Sequence, residues 1–195
     1  NRSSFHVPAA IELLGDLYVA LEQYDQARTQ YAKLGKAPSP YYKQKSALLT
    51  GRAWQAEGEH QEALAEFEQV LQATETGPAI EPIRLAATLE AAVSRAATGG
   101  GQQAAETIRQ IIAEADAEDD DLLARAYNAL GEAQLAAGDR QAALFAFLHV
   151  DLLYSSASAE HARALSHLAN LWNELGRPDR ANDAATRLSE TNLSN

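Results

Sequence analysis

The stretch ALLTGRAWQAEGEHQEALAEFEQV, residues 47–70, decides the fold of this chain. Apolar and small residues recur in it at intervals of three or four, which places their side chains on one face of a helix. Gly58 interrupts the pattern, and a glycine ends a helix at low cost because it adopts the left-handed conformation without strain. The stretch therefore predicts two helices joined by a tight turn.

The same pattern recurs along the whole chain. In each copy a small residue on the first helix is followed, twelve residues later, by an alanine on the second. Successive copies begin 36 to 41 residues apart, a period typical of helix pairs that stack on their neighbours. Small residues at both positions predict a close crossing of the two helices, with Gly15 facing Ala27. The five pairs are Gly15 and Ala27, Gly51 and Ala63, Ala92 and Ala104, Gly131 and Ala143, and Ala169 and Ala181.

Larger residues fill the remaining positions in phase. Trp54 and Trp172 follow the small residue by three positions, and Phe67 and Phe147 follow the alanine by four. This arrangement resembles the tetratricopeptide repeat, with its pattern W-x2-L-G-x2-Y and a later A-x3-F. Repeat three departs from it, since Arg95 stands at the aromatic position. In repeat five the second helix offers Ala181, Ala185 and Leu188 as its apolar stripe.

The resemblance implies an all-α fold, a right-handed α-solenoid of about ten antiparallel helices in a single repeat domain that covers residues 1–195. Every spacing exceeds the usual period of about 34 residues, so we expect longer helices or longer loops between repeats. The predicted repeats are 8–41, 44–77, 85–118, 124–157 and 162–195.

Composition excludes several classes of function. The net charge is −11, and an acidic surface repels phosphate backbones, so nucleic acid is not an expected partner. The chain has no cysteine, which removes disulfides and thiol chemistry. The longest apolar stretch, residues 142–154, is shorter than the roughly 20 residues that a bilayer crossing needs. We therefore predict no direct insertion of this segment into a membrane.

Residues with catalytic or ligand chemistry are not grouped. No two histidines stand three or four residues apart, as two metal ligands on one helix would. The glycines at 99–101 lack the preceding strand and following lysine of a phosphate-binding loop, and predict a turn. Ser155, Ser156 and Ser158 lie near His161, but the sequence identifies no acid to orient that histidine. We predict no catalytic, cofactor-binding or metal-binding residues and no enzymatic activity.

An acidic run, residues 118–121, precedes the first helix of repeat four. One interpretation is that it caps this helix and complements the positive end of the helix dipole. The alternative is calcium binding, although the run lacks the glycine and distal glutamate of an EF-hand loop.

The resemblance further implies that the first helices line a concave surface that holds a peptide or protein partner. Arginine forks suit carboxylates, and asparagine pairs with both a peptide N–H and a C=O. The alternative is a solvated face with pairs inside one helix, such as Arg125 with Glu132. The candidate partner-binding residues are Arg52, Gln55, Arg125, Asn128, Arg163, Asn170 and Asn173, and the same spacing places Glu12, Asp16, Lys45, Leu48 and Leu89 on this surface.

Three functions follow in order of preference. The first is a non-catalytic scaffold for a protein or peptide, and the second is a structural or self-assembling envelope protein. An enzyme with an unrecognised site is the third. The polar last helix, residues 180–190, is typical of a terminal cap and argues against open-ended polymerisation. Residues 142–188 resemble exported tetratricopeptide proteins of the bacterial cell envelope, which implies an exported or periplasmic location. The sequence specifies neither the partner nor the oligomeric state.

Overall fold

The computed structural model describes residues 6–193, and all regular structure in that range is helical. A π-helical turn, Ala96–Gly100, joins the fifth helix to the sixth. The predicted all-α class is confirmed, since the helices follow one another through short connections as in an α-solenoid. In chain order they are α1 His6–Ala20, α2 Tyr24–Leu34, α3 Pro40–Glu57, α4 His60–Gln72, α5 Glu81–Arg95, α6 Gly101–Glu114, α7 Asp120–Ala136, α8 Arg140–Leu153, α9 Ser158–Glu174 and α10 Pro178–Leu193.

Two compact units divide the chain. The N-terminal unit, Asn1–Thr98, contains α1 to α5, and the C-terminal unit, Gly99–Asn195, contains α6 to α10. Within each unit every helix packs against the next, and first helices of successive repeats also meet, α3 with α5 and α7 with α9. The two helices predicted as repeat three, α5 and α6, fall in different units. The single repeat domain and its repeat boundaries stay predictions.

Glycine on a first helix makes room for an aromatic ring on the second. A Cβ atom on Gly51 would lie 2.5 Å from the ring of Phe67, too close for any side chain without a shift of its neighbour. At Gly15 the three atoms nearest to such a Cβ belong to the ring of Tyr31, sixteen residues later, and the facing of Gly15 and Ala27 stays a prediction. The three glycine–ring pairs are Gly15 with Tyr31, Gly51 with Phe67 and Gly131 with Phe147.

Local stop and start signals act as predicted. The turns after α3, α7 and α9 contain Gly58, Gly138 and Gly176, with φ angles of 92°, 83° and 69°. In this left-handed region a Cβ is strained, so glycine ends the helix cheaply. Asp119 caps α7, since its Oδ1 accepts a hydrogen bond of 3.0 Å from the Leu122 N–H. The capping interpretation of the acidic run is confirmed at this residue.

The glycine run at 99–101 serves both the turn and the packing. Gly99 has a φ of 101° and breaks the helical course between α5 and α6. Gly101 lies inside α6, and a Cβ there would come within 2.7 Å of the Ala137 backbone nitrogen and 2.8 Å of the Ala133 carbonyl oxygen. The run thus brings α6 into close backbone contact with α7, beyond the turn that the sequence predicts.

The cores of both units consist of the apolar stripes that the repeat predicts. Phe67 and Phe147 are fully buried, as are the alanines at 63 and 143. The last helix differs from the expectation, because Ala181 and Ala184 are buried whereas Ala185 is exposed. No helix within residues 6–193 combines the length and hydropathy that crossing a bilayer requires.

Candidate interaction surface on the first helices

In the N-terminal unit, two of the candidate binding residues contact the next first helix. The Nε of Arg52 on α3 donates a hydrogen bond of 3.0 Å to Oε1 of Glu90 on α5. Gln55 Nε2 donates to the Glu90 carbonyl oxygen at 3.1 Å and to the Ser94 hydroxyl at 2.9 Å. Both side chains are half-buried. Their polar groups therefore hold α3 to α5 before any partner arrives.

The preceding first helix is tied to the same surface. Lys45 Nζ on α3 lies 2.8 Å from Oε1 of Glu12 on α1. Asp16, also on α1, accepts a hydrogen bond of 2.7 Å from the Tyr31 hydroxyl. Burial of the phenol, with the Asp16 carboxylate beside it, raises the pKa of Tyr31 well above its ordinary value. The two α1 acids that the sequence places on the surface thus belong to contacts within the repeat array.

In the C-terminal unit, Asn128 of α7 is fully buried. Its Nδ2 donates to the Glu160 carbonyl oxygen at 2.9 Å and to Glu160 Oε2 at 2.8 Å, both on α9. Its Oδ1 has no hydrogen-bond partner within the described part of the chain. An amide placed this way fixes α7 to α9 and retains one unused acceptor.

A charged network lies beside it. Arg163 of α9 forms a two-pronged pair with Glu132 of α7, with Nε–Oε1 at 2.9 Å and Nη2–Oε2 at 2.8 Å. His167 Nε2 lies 3.1 Å from the same Oε1, and its ring stacks on Phe147 at 4.4 Å between centroids. Burial raises the pKa of Glu132, but the hydrogen bond of His167 and the charge of Arg163 outweigh burial, so the net pKa lies below the ordinary value.

The remaining candidates differ in exposure. Asn170 and Asn173 are exposed on α9, in the direction of the helix end. Arg125 is half-buried on α7 and makes polar contacts of its own. Leu48 and Leu89, which the spacing rule also places on the surface, are instead buried, with 5% and 2% of their area exposed. In this part of the surface the sequence spacing is off by a fraction of a helical turn.

No protein-family model matches the sequence, and no curated protein matches it either. Solved structures do match. The MamA RS-1 ArsTM double mutant aligns with 96% of this chain and 95% of its own, with a TM-score of 0.56 and 16% identity. The nearly identical TPR-like repeats of a putative kinesin light chain from Podospora anserina align over 97% of both chains, with a TM-score of 0.59 and 22% identity. The chain has a tetratricopeptide-type repeat fold. At these identities the likeness establishes the fold alone.

The polar contacts follow the period of the tetratricopeptide array. The bonded partners on successive first helices stand 31 to 39 residues apart in sequence. The sequence pattern allowed an ion pair between Arg125 and Glu132 within one helix. In the structure Glu132 instead pairs with Arg163 of α9. A search for opposite charges one repeat apart, rather than one helical turn apart, would have pointed to these pairs.

A second buried cluster joins the last three helices of the tetratricopeptide fold. Asp151 of α8 lies 2.8 Å from Nε2 of His161 on α9 and accepts a hydrogen bond of 3.0 Å from Arg187 on α10. Burial raises the pKa of Asp151, but the bonds from Arg187 and His161 outweigh burial and lower it overall. The sequence identified no acid for His161, and Asp151 corrects that reading. Among the described residues, no hydrogen bond joins His161 to the hydroxyls of Ser155, Ser156 or Ser158.

The described part of the chain contains no group of side chains arranged to bind a metal ion. Across residues 6–193 no three His, Asp or Glu side chains are placed together to hold one ion. In the acidic run 118–121, Asp119 caps α7, and Asp120 and Asp121 lie in its first turn.

Proposed function

We propose that this chain is a non-catalytic scaffold that binds a peptide or protein partner on its first helices, in the C-terminal unit along α9. The tetratricopeptide-type fold is one that serves protein interaction. A site on a repeat array requires exposed groups that bond a partner without dismantling the array, and α9 carries such groups.

The observation that supports the proposal is a polar stripe on α9. Arg163, His167, Asn170 and Asn173 stand four, three and three residues apart, and helical geometry places them close to one face. Arg163 and His167 are engaged by Glu132, whereas both asparagine side chains extend into solvent. Each asparagine offers one donor group and one acceptor, the combination that an extended peptide backbone also offers.

The charged residues of the stripe favour one chemical class of partner. Arg163 is almost half exposed although it is paired with Glu132. A partner carboxylate reaches the outer edge of this guanidinium and shares it, since five N–H groups are available and Glu132 occupies two of them. We therefore expect partners with an acidic side chain near an extended segment, and we expect salt to weaken the interaction.

Charge insertion on α9 tests the proposal. The chain with Asn170→Glu and Asn173→Glu changes two exposed positions to the sign of charge that repels an acidic partner, and it breaks none of the contacts above. Used as bait in affinity capture from the source organism, with circular dichroism to verify the fold, it should lose partners that the parent retains. Asn182→Glu with Ser189→Glu, both on exposed positions of α10, adds the same charge and should retain them. Equal retention by both variants contradicts the proposal.

A second candidate, self-assembly, is favoured by one observation in the N-terminal unit. Helix α1 and the turn that follows it expose Val7, Leu13, Leu14, Leu17 and Leu21, with Leu13 72% exposed. Contiguous exposed apolar residues mark a surface that another protein covers. Light scattering after size exclusion should then show an oligomer that Leu13→Gln with Leu17→Gln dissociates. The exposed leucines of α8, changed as Leu152→Gln with Leu153→Gln, are the matched control. A parent that stays monomeric at high concentration rejects this candidate.

The absence of catalysis is part of the same proposal, and the exported or periplasmic location stays a prediction from the sequence.

A further inference from the structure

Positive charge is concentrated in one segment of an otherwise acidic chain. All four lysines of the sequence lie between residues 33 and 45. From residue 26 to residue 56 there is no aspartate or glutamate, although the net charge of the chain is −11. The segment forms most of α2, the connection after it and nearly all of α3. Positive charge concentrated in one segment of a unit produces a local electrostatic potential that attracts anions.

This segment lines a groove in the N-terminal unit. The groove lies between α2 and α4, with α3 as its floor, and is an open surface depression of about 870 Å³. Its floor consists of small residues such as Ser46, Ala47 and Thr50, so a ligand approaches the α3 backbone closely. One end is closed by Trp54, over whose ring the guanidinium of Arg28 lies at 3.5 Å. We call this feature the basic groove.

Two lysines on the basic groove lack acidic partners. Lys36 and Lys43 are exposed, and neither forms an ion pair with any residue in the described range. Arg28, by contrast, pairs with Asp25 and Glu57. Acidic groups also face the groove, Asp25 near Arg28 and Glu66 from α4. Burial raises the pKa of Glu66, whose carboxylate accepts a hydrogen bond of 3.2 Å from Gln69 Nε2.

A buried amide beside the lysines has no partner. Gln44 is only 5% exposed, and both its Nε2 and its Oε1 lack a hydrogen bond within the described part of the chain. It lines a cavity of about 180 Å³ that shares Lys43, Ala47 and Gln69 with the basic groove. Leaving both groups of a buried amide unpaired destabilises the folded state. A peptide unit satisfies both at once, since its C=O accepts from Nε2 and its N–H donates to Oε1.

We propose that the basic groove binds an acidic, extended peptide segment of a partner protein. Carboxylates of the segment pair with Lys36 and Lys43, and one of its backbone amides pairs with Gln44. The peptide lies on the floor of small residues, between the two lysines and Trp54. This site uses the second helices α2 and α4, so it is separate from the polar stripe on α9. A result that rejects one of the two sites therefore leaves the other unaffected.

Fluorescence anisotropy with a labelled oligoglutamate peptide and the full chain tests the proposal. The parent should bind the peptide, and the affinity should fall as NaCl rises from about 50 to about 300 mM. Lys36→Glu with Lys43→Glu should weaken binding at least about tenfold. Arg109→Glu with Arg177→Glu makes the same change in net charge at exposed positions of the C-terminal unit and should weaken it less than about threefold. Absence of binding to the parent, or equal loss in both variants, overturns the site.

Two further arms define the ligand. Gln44→Leu should weaken the peptide several-fold while the urea midpoint of the free chain stays level or rises, because an unpaired amide is removed; unchanged affinity refutes the role of Gln44.

Inorganic phosphate at a matched charge concentration should displace the peptide poorly, and full displacement would assign the groove to small anions. A concentration-dependent increase in mass that Lys36→Glu with Lys43→Glu abolishes would assign it to a second copy of the chain. Either result overturns the proposed peptide of a partner protein.

Discussion

The first-helix surface of the C-terminal unit and the basic groove of the N-terminal unit differ in how their charges are paired. On the first helices, Glu132 is engaged by Arg163 and His167, so acid and base satisfy each other inside the chain. In the basic groove, Lys36 and Lys43 have no acidic partner among the described residues. Charges of the first kind hold repeats together, and charges of the second kind are available to a ligand. The position of a charge on a repeat helix alone does not distinguish them.

The largest expected effect concerns the most deeply buried of the paired charges. Asp151→Ala should lower the free energy of unfolding by about 2–3 kcal/mol, because it leaves His161 and Arg187 without their acceptor; the exposure of Arg187 limits the loss. Urea denaturation followed by circular dichroism measures it. Asp183→Ala, on an exposed residue 3.9 Å from the same arginine, should cost less than about 0.5 kcal/mol. Equal losses of unfolding free energy in the two variants would show that the buried ion pair contributes no more to stability than the exposed one.

A smaller effect appears in the pH dependence of stability. Asp151 and Glu132 have lowered pKa values in the folded chain, so below their ordinary values of about 4 the unfolded chain binds more protons than the folded one. Their contribution is therefore fully present above that pH and is lost as the pH falls through the folded values. The stability gap between the parent and Asp151→Asn with Glu132→Gln should close on acidification. A gap that is constant between neutral pH and about pH 3 contradicts the pairing.

The pair between α7 and α9 should show a weaker coupling. In a double-mutant cycle, Glu132→Gln and Arg163→Gln should interact by about 0.5–1 kcal/mol, since the geometry is two-pronged but Arg163 is half in solvent. The pair of Arg140 and Glu174, 2.9 Å apart and more than half exposed on both sides, is the control and should couple by less than about 0.5 kcal/mol. A coupling of zero between Glu132 and Arg163 would show that this ion pair does not stabilise the contact between α7 and α9.

The smallest effect is expected at the lysines of the basic groove. Lys36→Gln with Lys43→Gln should leave the free energy of unfolding within about 0.5 kcal/mol of the parent, because neither side chain has a partner in the described chain to lose. The same urea experiment measures it. A loss above about 1 kcal/mol would mean that these lysines stabilise the fold and would remove the contrast between the two surfaces.

Local sequence signals predicted the framework well. A glycine ends α3 at Gly58, and Asp119 caps α7, because both depend on the backbone of a few neighbouring residues. The glycine and aromatic positions of the repeat predicted the core around Phe67 and Phe147 for the same reason. The aromatic ring beside each of these glycines stands sixteen residues later, a contact that the sequence pattern did not assign.

Contacts across repeats were harder to predict. Leu48 and Leu89 are buried although the spacing places them on the surface, so the standard spacing does not transfer to these two positions. Ala185 is exposed, and Ala184 takes its place in the buried stripe of α10. The partners of Arg52, Asn128 and His161 lie on other helices, and their identity depends on the stacking rather than on the local sequence.

Photo-crosslinking tests the central claim, a partner bound along the first helix α9, most directly. A benzophenone amino acid is placed at Asn170 or Asn173, both exposed on α9, and in parallel at Asn182 or Ser189, both exposed on α10. After irradiation in a lysate of the source organism, the account predicts a discrete partner adduct from the α9 positions and none from the α10 positions. Adducts from α10 alone, or equally from both helices, would contradict a partner held on the first helices.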